Sequence, residues 1–61
     1  MTDIERLELL EESVSAMSDD TITEWLDYFN LSQSGSLNIR VTRLISYAHQ
    51  SDSIANEIVF D

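Results

Sequence analysis

The sequence predicts an all-α domain of three main helices and a short C-terminal helix. Three observations predict this class. The 61 residues include no proline and only one glycine, Gly35, so helices can run with few breaks. Apolar residues recur three and four positions apart, which is the spacing of a single helix face. Side chains that can cap a helix start stand just before these apolar runs.

The first helix is predicted from Thr2 to about Met17. Thr2 and Glu5 have capping-box spacing, in which a hydroxyl and a carboxylate satisfy free amides at a helix start. The apolar face that follows consists of Ile4, Leu7, Leu10, Val14 and Met17. Glu5, Glu8 and Glu12 fall on the opposite side. Because the apolar spacing is also heptad-like, a homodimer is a further hypothesis.

The second helix is predicted to start at Ser18-Asp19-Asp20, which offers capping oxygens and negative charge. Thr21 and Glu24 repeat the capping-box spacing. The apolar face consists of Ile22, Trp25, Leu26 and Phe29, with Tyr28 at its margin. The helix is predicted to stop near Asn30 or Leu31. A polar loop, 32–34, then leads to Gly35, which supplies a backbone angle that other residues resist.

Ser36 is predicted to cap the third helix, from about Leu37 to His49. Its buried stripe is expected to be Leu37, Val41, Leu44, Ile45 and Ala48. Arg40 and Arg43 share another face, and they are predicted to pair with the glutamates of the first helix. Such pairs would connect the third helix to the first.

The last stretch, 54–61, fits two structures. Ile54 and Ile58 fit a two-turn helix, whereas Ile58-Val59-Phe60 also fits a short strand. A lone strand has no partner in a helical monomer, so a short helix with a frayed end is favoured. The predicted core is Leu7, Leu10, Val14, Ile22, Trp25, Leu26, Phe29, Val41, Leu44 and Ile45.

A helix ending at Leu31, a polar loop reaching Gly35 and a second helix carrying Arg43-Leu44 resemble the helix–extended-loop–helix of SAP-type modules. The resemblance spans Thr21 to Tyr47, under half of the chain. It implies DNA binding through basic residues, which this chain lacks, and Arg40 stands where an apolar residue is expected. The likeness therefore supports only the helix–loop–helix geometry.

Composition excludes several classes of protein. Without cysteine there is no disulfide framework and no thiolate metal site. No apolar run approaches the 18 or so residues of a membrane span. The acidic start lacks the basic and apolar regions of a signal peptide, so a cytoplasmic protein is predicted. The initial methionine and short length predict a complete small open reading frame.

The charge predicts the kind of partner. Twelve acidic residues face three arginines and no lysine, for a net charge of −9. Such a surface repels nucleic acid and anionic membranes and attracts basic protein surfaces. We expect a small inhibitor or regulator that docks on the basic surface of a nucleic-acid-binding protein. A sharper form of this hypothesis is a DNA mimic of phage or mobile-element origin. The expected contact residues are Glu5, Glu8, Glu12, Asp19, Asp20, Glu24 and Asp27.

Three alternatives remain open. The acidic residues also fit a solvated face that keeps a small protein soluble, or an adaptation to high salt. The runner-up function is a structural or oligomerisation module that binds a partner helix through its apolar helix faces.

No catalytic residue, cofactor or metal site is predicted. Asp19-Asp20 and Glu8 with Glu12 lack the spacing of a calcium loop, and His49 has no second metal ligand.

Overall fold

The computed structural model describes residues 2–60, which form four helices and, within that range, no strand. The helices are α1 (Asp3–Ser15), α2 (Asp19–Tyr28), α3 (Leu37–Ala48) and α4 (Asp52–Phe60). α3 packs against each of the other three, and α1 also packs against α4. The all-α class and the short fourth helix are confirmed. The frayed end predicted for the stretch 54–61 is untested, because the helix continues to Phe60 and Asp61 lies outside the described residues.

A hydroxyl side chain caps each of the first three helices. Thr2 Oγ1 accepts a hydrogen bond from the Glu5 amide at 3.2 Å. Ser18 Oγ accepts one from the Thr21 amide at 3.3 Å, and Ser36 Oγ accepts one from the Ile39 amide at 3.4 Å. The caps at Thr2 and Ser36 are as predicted. α2 begins at Asp19, so Thr21 lies inside the helix and its spacing to Glu24 is not a cap.

The end of α2 is a Schellman motif. The Leu31 amide donates to the Leu26 carbonyl oxygen at 2.7 Å, and the Asn30 amide donates to the Asp27 carbonyl oxygen at 3.0 Å. Asn30 has a φ of 63°, which this motif requires of the residue after the cap. Leu31 packs against the core beyond it. α2 therefore ends at Tyr28, two to three residues before the end near Asn30 or Leu31 that the sequence predicted.

The core draws on all four helices. Its buried members are Leu10, Val14, Ile22, Leu26, Leu44, Ala48, Ala55 and Ile58. Four other predicted core residues are partly buried against them: Trp25, Phe29, Val41 and Ile45. The prediction missed Ala55 and Ile58, because the stretch that contains them was ambiguous between helix and strand.

The prediction of Leu7 as a core residue is wrong, since 36% of it is exposed, and so is the prediction of Leu37 in the buried stripe of α3, since 43% of it is exposed. In that turn of α1 the contact with the start of α4 is made by Arg6. The Arg6 side chain is only 13% exposed, and it forms an ion pair with Asp52 at 2.6 Å. It also donates to the His49 carbonyl oxygen at 2.7 Å. This polar contact leaves Leu7 at the edge of the core.

The predicted pairing of Arg40 and Arg43 with the glutamates of α1 is also wrong. Arg40 pairs with Asp19 at the start of α2 and donates to Thr23 Oγ1 at 2.9 Å. Arg43 donates to the Ser32 and Ser34 carbonyl oxygens, both at 2.8 Å. These arginines hold α3 to α2 and to the loop between them.

No helix within residues 2–60 has the length and apolar content to cross a bilayer.

Candidate partner-binding surface

Three predicted contact residues form the α1 acidic face: Glu5, Glu8 and Glu12. All three are exposed. Their spacing of three and four residues places them on one side of α1, over about 10 Å of helix axis. Leu10 and Val14, on the other side of α1, are fully buried. The α1 acidic face is therefore turned to solvent, as predicted.

Three more form the α2 acidic face: Asp20, Glu24 and Asp27. They too are exposed and spaced by four and three residues. The Asp27 carboxylate accepts a hydrogen bond from the Gln33 side-chain amide at 3.3 Å. Ile22 and Leu26 point from the other side of α2 into the core.

Asp19, the remaining predicted contact residue, is separated from the α2 acidic face. Its carboxylate is paired with Arg40 of α3. Its backbone carbonyl oxygen accepts a hydrogen bond from Thr23 Oγ1 at 3.0 Å. Asp19 therefore contributes to the packing of α2 on α3, and its charge is balanced inside the chain.

All three arginines are engaged within the chain. Arg6 pairs with Asp52 and lies 3.4 Å from the Asp3 carboxylate. Arg40 pairs with Asp19, and Arg43 donates to loop carbonyl oxygens. Among residues 2–60, no cation pairs with either acidic face.

The two acidic faces work against the stability of their own helices. Glu8 and Glu12 are four residues apart, as are Asp20 and Glu24, and each such like-charge pair costs about 0.2–0.5 kcal/mol. Glu5 and Asp20 are exceptions, because they lie in first turns, where negative charge is favourable. Glu12 lies in the second half of α1, where the helix dipole disfavours it, and the last turn carries no basic residue. The helix dipole therefore explains the acids at the helix starts and leaves the later ones unexplained.

A groove runs between α2 and α4 beside the α2 acidic face. Its volume is about 830 Å³. Its walls are Thr21, Glu24, Trp25 and Tyr28 from α2, and Ser53, Asn56, Glu57 and Phe60 from α4. Two of its aromatic rings are largely open to solvent, with Tyr28 66% and Phe60 71% exposed. We call this site the aromatic groove.

Ring contacts hold the α2 side of the aromatic groove in place. Trp25 stacks on Phe29, with ring centroids 5.6 Å apart and an angle of 20° between the planes. Tyr28 meets Trp25 edge-on at 5.7 Å and Phe29 at 5.0 Å. Tyr47 of α3 lies 5.2 Å from Phe29 and extends the cluster onto α3.

Sequence reasoning missed the α4 wall of the groove. Glu57 and Phe60 belong to no predicted site. The stretch that contains them fits a helix or a strand, and these two structures would point their side chains in different directions. The exposed Glu11 lies beside the α1 acidic face but is not among the predicted contact residues, although Glu8 and Glu12 are. The predicted position of Tyr28, at the margin of the apolar face of its helix, is the one feature of the sequence that points to the groove.

The described residues contain no group of three or more His, Cys, Asp or Glu side chains arranged to hold a metal ion. Within residues 2–60, the surface offers carboxylates that form no ion pair, next to exposed aromatic rings. No family model, curated protein or solved structure is significantly similar to this chain.

Proposed function

We propose that this protein is a small acidic inhibitor or regulator that binds a basic surface of another protein. The α1 and α2 acidic faces provide the contact. Such a partner supplies lysine and arginine side chains to Glu5, Glu8 and Glu12, and to Asp20, Glu24 and Asp27. A nucleic-acid-binding protein fits best, since its surface is built to attract negative charge.

One observation carries this proposal: both acidic faces are exposed and have no cationic partner among residues 2–60, while every arginine of the chain is committed elsewhere. Acids kept only for solubility need not stand four residues apart on one helix face, where they repel each other. Binding a basic partner would relieve that repulsion. It would also give fast, salt-sensitive association.

A mimic of DNA is the sharper form of this proposal. Duplex DNA carries about one charge per 1.7 Å of axis, or one per 3.4 Å on each strand. The α1 acidic face carries about one per 5 Å. A single face is thus sparser than one DNA strand, so mimicry would need both faces to act together. A competition experiment tests for mimicry, because a DNA mimic and a DNA duplex could not bind the same site of the partner at the same time.

The test is affinity capture with the immobilised protein, read by mass spectrometry at about 50 and about 500 mM salt. We expect a basic protein that is retained at low salt and released at high salt. Glu8→Gln with Glu12→Gln, or Glu24→Gln with Asp27→Asn, should reduce its retention. Thr42→Ala with Ser46→Ala, on the exposed side of α3, is the matched neutral control. Retention that is the same at both salt concentrations would rule out the electrostatic mechanism.

The runner-up function, a module that binds a partner helix, has one observation in its favour. Ile4 is 72% exposed and Leu7 is 36% exposed, which leaves two apolar side chains open on α1. Leu10 is fully buried and cannot serve such a contact, so Leu10→Asp would test folding instead. Ile4→Asp is the appropriate variant. It should abolish capture if the module is correct and leave it intact if the acidic faces bind.

A further inference from the structure

We propose that the aromatic groove between α2 and α4 binds an arginine side chain carried by a basic segment of the partner. The guanidinium would stack on the exposed rings of Tyr28 and Phe60, with the Glu24 and Glu57 carboxylates beside it. This inference rests on the proposed function, because it identifies which residue of a basic partner the surface selects.

The first argument is the exposure of the rings. Tyr28 and Phe60 line the same groove and are 66% and 71% exposed, although large apolar side chains gain by burial. Contacts with Trp25 and Phe29 already restrict Tyr28. A ring that is held in place loses little side-chain entropy when a ligand covers it. The α2 wall of the groove is therefore prepared for a flat group.

The second argument is charge. Glu24 and Glu57 line the groove from opposite helices, and Asp20 and Asp27 lie on the same side of α2 as Glu24. No cation within residues 2–60 pairs with Glu24 or Glu57. An aromatic ring attracts a cation over its face, and a carboxylate accepts hydrogen bonds from it. Rings and carboxylates in one groove therefore favour a cationic occupant.

The same chemistry favours arginine over lysine. A guanidinium is planar, stacks on aromatic faces and offers a fork of donors to carboxylates. An ammonium is a compact, strongly hydrated charge that gives up more hydration on entering the groove. A second copy of this chain is disfavoured, because it would bring a net charge of −9 against another acidic surface.

Trp25 makes the binding measurable. It is the only tryptophan of the chain and it lines the groove, so its fluorescence reports occupancy. The probes are two 12-residue alanine-based peptides, identical except that one carries four arginines and the other four lysines. We expect both to bind at low salt, with the arginine peptide tighter by at most about 2- to 5-fold for each ring that it contacts, which is the worth of a full cation–π contact.

The test variant is Tyr28→Leu with Phe60→Leu, which removes the rings but keeps apolar side chains. Both positions are exposed, so circular dichroism should show an unchanged helical fold. We expect the variant to bind the two peptides equally. Leu37→Ala, an exposed apolar position on α3, is the control and should keep the preference for arginine.

Equal affinity of the wild-type protein for the two peptides would overturn the inference. So would a preference for arginine that survives the loss of both rings. Either result, combined with salt-sensitive capture of a partner, would refute the groove alone and leave the proposed function standing. An arginine preference that depends on the rings, together with salt-independent capture, would refute the proposed function and leave the groove.

Discussion

Single residues with unusual backbone angles define the path between α2 and α3. Asn30 ends α2 with a φ of 63°, which asparagine tolerates, and Gly35 has a φ of 104°. A Cβ at position 35 would lie 3.0 Å from Ile39 Cγ2 and would also force a side chain into this strained backbone. The sequence predicted the unusual angle at Gly35, whereas at Asn30 it predicted only that the helix ends nearby.

We therefore predict that Gly35→Ala lowers the free energy of unfolding by at least about 1–2 kcal/mol, the cost of a left-handed angle at a residue with a Cβ. Urea denaturation followed by circular dichroism measures this change. Asn30→Gly is the contrasting variant, since glycine also accepts a φ of 63°, and we expect it to stay within about 0.5 kcal/mol of wild type. Equal stability of Gly35→Ala and the wild-type protein would contradict the strain argument.

At the scale of elements, α4 shows where local sequence stops being informative. Ile58-Val59-Phe60 has the composition of a strand, yet it forms the last part of a helix that packs against α1 and α3. Tertiary packing decided the outcome, because helical register buries Ala55 and Ile58 together. The arginine partners were unpredictable for a similar reason: Arg40 faces Asp19 only once α2 and α3 are packed together.

This packing predicts that truncating one apolar residue of α4 lowers stability strongly, whereas truncating another, two residues away, hardly changes it. Ile58 is 4% exposed, so Ile58→Ala should cost about 2–5 kcal/mol through lost burial and the cavity left behind. Phe60 is 71% exposed, and Phe60→Ala should change stability by less than about 0.5 kcal/mol. Thermal melts of both variants measure the difference. A larger loss at Phe60 than at Ile58 would mean that α4 packs in another register.

At the scale of the whole molecule, the sequence predicted the exposed acidic faces but not the aromatic groove. Helical periodicity alone places Glu5, Glu8 and Glu12 opposite Leu10 and Val14. The aromatic groove arises only when α2 and α4, which both pack against α3, face each other across it, and nothing in either segment specifies that arrangement. Surfaces formed by one helix are therefore readable from sequence, whereas surfaces shared by two helices require the fold.

The excess charge acts on folding and on binding with opposite signs. Like charges on a compact chain repel, so raising salt from about 20 to about 200 mM should stabilise the folded state. The same screening should weaken attachment to a basic partner. Glu8→Gln with Glu12→Gln removes one repulsive pair, so this variant should be about 0.2–0.5 kcal/mol more stable at low salt. It should also bind the partner more weakly.

Urea midpoints and partner retention, measured at the same salt concentrations, check this pair of effects. A protein that uses its acids only for solubility would show the stability change without the loss of binding. A protein adapted to high salt would need salt to fold and would not release its partner at physiological ionic strength. If Glu8→Gln with Glu12→Gln makes the protein more stable but weakens its binding, the repulsion between these acids is retained in the fold because the partner relieves it.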